Sequence, residues 1–542
     1  MAATDPVHVG SDDDIQEFRS TLDSCDWLFD FFAAGFDYLS KRFVPDERDI
    51  LQFDWEEQVD RVAAQKLVQR FVRDDGTIPD AAWHYLQVPS RNEEWTQRPF
   101  LIRLLALLTA IDMASAGFNY FLPGQELDTW NDVRQRLFRF GALNRRARGR
   151  VVLLPPRLSP DSANVWWRRA IDLNEWESQP LRGSHLYRWF VNLCRVPDIQ
   201  DCLIEHKILA AEQDLTPDEW RYLRIAVVPL VERMEVNDGF ARLLPGPLRM
   251  VGVDCNPPGF SVDIDEATST VSQCEDLARR AESAIRALAE RGVQIVIFPE
   301  LVVPDPVLIR IKSTLRHLNR GGNATIQLVL AGTFLRKIQE SAGEVPFNVA
   351  VVLNGQGEEL WRQSKLHPYQ MEYYEQLRYG LEVVFKSTHE GNRRKEVIEC
   401  SPRKLVFCDS RVAGLRMTVI ICEDACHSSP GLSAIRALRP NLAMSPVMAG
   451  ALLSDRQFGK TAADLAREPG ATTLVGNSGG LASSEWENRA AKGERLPFAN
   501  APLGIVALPL LNKTTHSPLV LMHETTRLSN DVQVAIFQCP TL

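Results

Sequence analysis

From Leu248 onward the chain alternates short apolar, β-branched runs with amphipathic stretches of helical spacing, and this alternation limits the fold more than any other feature. Residues 249–253, 293–298, 327–332, 348–353, 415–421, 441–445 and 472–476 read as strands. Residues 271–291, 306–319 and 456–467 read as helices between them. On the first helix Leu277, Ala281, Ala284, Ile285 and Leu288 share one face, and Gly292 supplies the stop. The central runs are apolar at successive positions, as in strands covered on both faces. Together these features predict a layered α/β domain.

The preceding part has a different texture. At 542 residues the chain exceeds one domain of ordinary size. The turn-rich Leu244-Pro245-Gly246-Pro247 marks a boundary, giving a mainly helical domain over 1–245 and the α/β domain over 246–542. Helical spacing is expected over 16–39, 55–72 and 101–118. Thr216-Pro217-Asp218-Glu219 has the form of a helix start whose helix ends before Pro229 or continues, kinked, toward Met234. Residues 151–154 form the one obvious β-like run there. Ten of the twelve tryptophans precede residue 230, spread as core-packing aromatics would be, and the basic run at 145–150 reads as a solvated loop.

Composition excludes several classes. A net charge of −9 argues against nucleic acid as a partner. The apolar stretch 101–118 contains Arg103 and Asp112, so a buried helix is expected and no membrane span. The acidic start lacks the pattern of a secretory signal, and the ten cysteines include no CxxC pair. Reduced thiols and a cytoplasmic location are therefore the expectation.

Chemistry concentrates where strands end. The run 415–421 stops at Cys422-Glu423-Asp424, the run 293–298 stops at Pro299-Glu300, and Lys365 lies in RQSKLHPY. A thiol is a weak nucleophile until a base removes its proton, which a carboxylate such as Glu300 can do. An ammonium such as that of Lys365 supplies positive charge where a tetrahedral oxyanion develops, and the backbone N–H of Glu423 would be a second donor. Glu300, Lys365 and Cys422 are thus a complete set for acyl transfer. Zinc ligation by Cys422, Cys426 and His427 with Cys400 and Cys408 lacks a usual spacing. SDRQFGKT at 454–461 lacks the first glycine of a phosphate loop, and the SGGLAS run at 478–483 has Ala where an ATP loop needs Asp.

This constellation resembles the nitrilase superfamily of carbon–nitrogen hydrolases, over about residues 248–510. Phe347-Asn348-Val349-Ala350 through Gly355 to Lys365 looks like the family's strand–turn–strand leading to its lysine. Asp464-Leu465-Ala466-Arg467 and Gly476-Asn477-Ser478-Gly479-Gly480 look like two further family elements. The resemblance implies an α-β-β-α sandwich, a Glu300–Lys365–Cys422 triad and a homo-oligomer, with no cofactor and no metal. It also implies a second glutamate after the lysine that positions substrate, for which Glu372 is the candidate and Glu375 the alternative. Asn477 and Glu423 are the candidate substrate-binding residues. Cys-Glu-Asp is most similar to the glutaminase domains of glutamine-dependent NAD synthetases, which favours an amide over a nitrile. Pro469-Gly470 interrupts the family's helix pattern, and the first 245 residues have no counterpart in a minimal amidase. The expected function is hydrolysis of a small amide or carbamoyl compound through a thioester, or acyl transfer where an amine excludes water. The alternative is a sensor or assembly module of this fold, gated by a protein partner bound to the helical domain.

Overall fold

In the computed structural model, the residues described are 12–23, 28–42, 80–86, 88–89, 91–114, 151–153, 193–195, 202–209, 222–237, 239–255, 257–264, 271–321, 325–336, 345–386, 393–410, 415–467, 470–511, 518–524, 526–529 and 532–540. The chain divides into two compact units, Met1–Asp198 with Arg436–Leu438, and Ile199–Ile435 with Arg439–Leu542.

In the first unit the described helices are Asp12–Asp23, Leu28–Arg42, Asp80–Leu86, Asn92–Trp95 and Arg98–Ala114. Their apolar faces meet in an aromatic core of Phe18, Phe31, Phe32, Phe36, Trp95 and Phe100, closed by Leu104 and Leu108. Phe18 stacks on Tyr38 with ring centroids 4.0 Å apart. Val151–Leu153 pairs antiparallel with Leu193–Arg195. No helix among the described residues is long and apolar enough to cross a membrane. The expected helix at 55–72, the start of the one expected from Thr216, and the basic run at 145–150 lie outside the described residues.

Among its described residues the second unit is built on two seven-stranded sheets and one six-stranded sheet. The first large sheet runs Glu359–Ser364, Phe347–Asn354, Leu328–Arg336, Ile295–Phe298, Tyr222–Val227, Val532–Pro540, Thr526–Ser529. The second runs Pro518–Glu524, Pro502–Leu511, Thr472–Asn477, Leu442–Val447, Leu415–Val419, Arg403–Ser410, Cys202–Ile208. In the first, Ile295–Phe298 pairs parallel with both neighbours; in the second, Leu442–Val447 does the same.

Alternation along each strand creates two cores from one sheet. Ile295 and Ile297 join Met417, Met444 and Leu474 in the core between the large sheets. Val296 and Phe298 face the other way, onto helices Val271–Glu290 and Asp305–Arg320. The predicted stripe Leu277, Ala281, Ala284, Ile285 and Leu288 is buried there. Helix Gln457–Arg467 packs on strands 472–477, 502–511 and 518–524 of the second sheet. The layers are therefore helix, sheet, sheet, helix. The sheets come very close at Gly476, where a Cβ would lie 2.7 Å from Ile297 Cγ2.

The described residues between 202 and 245 differ from the expected helix. Cys202–Ile208, Tyr222–Val227, Arg233–Asn237 and Phe240–Leu244 are all strands, and the second compact unit begins at Ile199, ahead of the turn at 244–247. A six-residue apolar run such as Tyr222–Val227 has no decisive period. What settles it is its neighbours, Ile295–Phe298 on one side and Val532–Pro540 on the other.

One buried polar cluster ties the far edge of the second sheet together. Arg416 donates to Asp409 through Nε at 2.8 Å and Nη2 at 2.9 Å, and His206 Nε2 lies 2.7 Å from the same carboxylate. Burial opposes the charged carboxylate, but Arg416 and then His206 outweigh it and hold Asp409 well below its usual range. The folded value lies below the unfolded value of about 3.9, so the stabilisation is complete at neutral pH and fades as pH falls through that value and beyond. Asp409→Asn is expected to cost about 3–5 kcal/mol at neutral pH. Urea unfolding should show that difference shrinking below about pH 4.

Candidate active site

Three strand ends bring the key side chains together. Strand Ile295–Phe298 ends in Pro299-Glu300, followed by Leu301 at a positive φ of 58°. Strand Leu328–Arg336 shifts register between Leu330 and Thr333, and this irregularity receives the turn. Thr333 N donates to Pro299 O at 3.1 Å, and Leu301 N donates to Thr333 Oγ1 at 2.9 Å. Gly332 is obligatory here: its φ is +62° and a Cβ would lie 2.4 Å from Pro299 O. Lys365 follows edge strand Glu359–Ser364, with its N–H donating to Asn348 O at 2.9 Å. Cys422 follows strand Leu415–Val419 and opens a short 3₁₀ turn, Cys422–Cys426, with φ of 46°. A non-glycine residue in that region is uncommon and costs of order 1–3 kcal/mol.

Lys365 sits between two carboxylates. Its Nζ donates to Glu300 Oε1 at 2.8 Å and to Glu396 Oε2 at 2.5 Å, and all three side chains are at most 3% exposed. Asn348 Nδ2 lies 2.9 Å from Glu300 Oε1 and 2.9 Å from Glu396 Oε1. Met448 N donates to Glu300 Oε2 at 3.1 Å, and Tyr369 N donates to Glu396 Oε2 at 3.0 Å. The Cys422 sulfur, itself buried, feels the charges of both Glu300 and Lys365.

The electrostatics follow from burial and pairing. Burial pushes the Cys422 thiol well above its usual range, the Glu300 charge adds to this, and Lys365 opposes it. Burial alone would lower Lys365, yet the Glu300 and Glu396 charges hold it well above its ordinary value. Glu300 is raised by burial, against Lys365 and with Glu396. The resting group is therefore a neutral thiol beside a firmly charged ammonium. Such a thiol needs a base during attack, because no thiolate waits in advance.

Glu372 is not brought to Lys365. It precedes helix Tyr373–Tyr379 as its cap and pairs with Arg393 at 2.9 Å, while Glu375 Oε2 accepts the Glu372 N–H at 2.8 Å. The second carboxylate on the lysine is Glu396, which sequence reading missed. In RRKEVIE it looks like one member of a solvated charge run, and only the short strand Arg394–Glu396 turns it inward. Asn348 was legible as a strand residue but not as a ligand of the two glutamates.

Asn477 is fully buried and committed to the chain itself. Its Oδ1 accepts Ala449 N at 3.0 Å, and its Nδ2 donates to Ala449 O at 3.1 Å and Gly450 O at 2.9 Å. It thereby holds the loop whose Met448 N–H reaches Glu300. Glu423 Oε1 accepts from His427 Nε2 at 3.0 Å, and the Glu423 side chain is partly exposed. Among the described residues no group of three or more His, Cys, Asp or Glu side chains is arranged to hold a metal.

Residues 266–429 match the carbon-nitrogen hydrolase family, a span that includes Glu300, Lys365, Glu396 and Cys422. No curated protein matches the chain. Among solved structures, an amidase from Nesterenkonia sp. is 14% identical, with 59% of this chain and 90% of that chain covered at a TM-score of 0.32. Saccharomyces cerevisiae Nit3, a member of branch 10 of the nitrilase superfamily, is 11% identical, with 60% and 92% covered at a TM-score of 0.33.

The two candidate glutamates are expected to separate by stability. Glu396→Ala should cost about 3–5 kcal/mol, because it leaves Lys365 buried with one partner fewer. Glu372→Ala, which loses a half-exposed ion pair and a helix cap, should cost about 1 kcal/mol. Denaturant unfolding of both variants checks this ordering.

Proposed function

We propose that this chain is a nitrilase-superfamily amidase, cleaving a non-peptide C–N bond of a small amide or carbamoyl compound through a Cys422 thioester. The observation that carries the reading is the buried Glu300–Lys365–Glu396 set beside a cysteine at positive φ. The family match over 266–429 supports it.

The steps follow from the charges. Glu300 takes the thiol proton as sulfur attacks the carbonyl carbon, and negative charge moves to the carbonyl oxygen. The Lys365 ammonium and the Glu423 N–H stabilise that oxyanion; one such donor is worth roughly 3–4 kcal/mol. The tetrahedral species collapses, the C–N bond breaks, and the leaving nitrogen takes its proton from Glu300. Water then attacks the thioester with Glu300 again as base, releasing a carboxylic acid and restoring the thiol. Glu396 acts through Lys365 by keeping it charged and fixed. The Cys-Glu-Asp resemblance favours an amide over a nitrile. A gated module is the second reading, and the near-complete burial of Cys422 is what favours it.

Ammonia release from a panel of amides that includes glutamine tests the proposal. Wild type should release ammonia, Cys422→Ala should release none, and Lys365→Met should lose about 10²–10³-fold in kcat. Silence from wild type would move the weight to the gated module. The pH profile gives a separate check. Glu300 acts in its basic form and burial raises its pKa. The ascending limb of kcat/KM should therefore lie above the ordinary glutamate value of about 4.3. A limb at or below that value would contradict the role given to Glu300.

A further inference from the structure

Lys365 and Cys422 arrive from different sheets, so something must fix one against the other. The contact that does so is the side chain of Asp424, which is completely buried. Leu366 N donates to both its oxygens at 3.0 Å, and His367 N donates to Oδ1 at 2.8 Å. Ile421 N, immediately before the cysteine, approaches Oδ2 at 3.3 Å, and His367 Nδ1 lies 3.1 Å from Oδ1. One carboxylate therefore collects backbone donors from the residues just after Lys365 and the residue just before Cys422. A second link runs alongside it. The His367 ring stacks on His427 at 4.2 Å, and His427 pairs with Glu423.

We propose that Asp424 is the positioning residue that sets the distance between the Lys365 ammonium and the Cys422 sulfur. It acts through the backbone of both turns and touches no reacting atom. A carboxylate suits this place because it only accepts, and every group converging on it from the backbone is an N–H. An asparagine of the same shape would turn its own N–H₂ toward one of them. A shift of about 1 Å in the lysine can cost on the order of 10²-fold in rate. The proposal rests on Cys422 as the nucleophile, so its test reads thiol chemistry as well as turnover.

The experiment measures iodoacetamide alkylation of Cys422 against pH, by peptide mapping, in wild type, Asp424→Asn and Asp409→Asn. Asp409 serves as a comparator: a buried carboxylate at the far end of the same strand pair, whose loss weakens the sheet away from Cys422. Asp424→Asn should slow Cys422 alkylation at least about tenfold and move its pH profile, while Cys400 and Cys426, which lose only the Asp424 charge, should not slow. Asp409→Asn should leave Cys422 within about twofold despite a lower Tm. Loss of a negative charge would by itself speed alkylation, so slowing has the opposite sign from a simple charge effect.

An unchanged or faster rate in Asp424→Asn would overturn the proposal, as would equal slowing in Asp409→Asn. Should Asp424→Asn fail to fold, Asp424→Glu carries the test, since it keeps the charge and the acceptor oxygens but lengthens the side chain that joins the two turns. Slowed Cys422 alkylation in that variant supports the proposal, and a wild-type rate overturns it. Where amide turnover is measurable, kcat should fall about 100-fold in Asp424→Asn with KM nearly constant. A wild type without turnover refutes the amidase reading alone, because the alkylation arm still decides the role of Asp424.

Discussion

An ammonium held in the dry interior between two carboxylates is the interaction on which this site depends. Desolvating Lys365 is expensive, and only the paired charges of Glu300 and Glu396 make its charged form the stable one. Each partner then needs its own support. Asn348 bridges the two glutamates, Met448 N–H holds the free oxygen of Glu300, and Tyr369 N–H holds Glu396. Asn477 in turn secures the loop that supplies Met448. The polar network thus reaches from the edge of the first sheet to the middle of the second, with its donors and acceptors largely matched.

The backbone carries the cost of this arrangement at three places. Leu301 and Cys422 both take positive φ without being glycine, and Gly332 lies where any side chain would strike Pro299. These sit at the ends or irregularities of strands whose apolar residues are locked on both faces. Rigid sheets can hold strained turns that a free loop would relax. The close approach at Gly476 serves the same end by letting the two sheets, and the residues at their ends, come together.

Sequence alone reveals the parts of this fold whose signal is local. Glu300 and Cys422 stand out because each ends an uninterrupted apolar run, and helix Val271–Glu290 because its buried face has a clean period. Lys365 gives a weaker signal, since it follows an edge strand, Glu359–Ser364, that alternates poorly. Glu396 is hidden because burial of a glutamate in a charged run depends on partners distant in the chain. Tyr222–Val227 falls within the helix expected from Thr216 yet is a strand for a related reason: its neighbours, 295–298 and 532–540, lie far along the sequence. Pairing partners, and the charges they bury, are what periodicity does not encode.

The protonated state of Cys422 has a consequence for durability. Peroxide and disulfides react with thiolates, and the usual price of a reactive cysteine is conversion to sulfenic and then irreversible sulfinic acid. Here burial and the Glu300 charge disfavour the thiolate, and the mechanism proposed above forms it only as a carbonyl compound is attacked. On the mechanism proposed above, Cys422 would thus be reactive toward a bound acyl carbon while staying a poor target for dissolved oxidants.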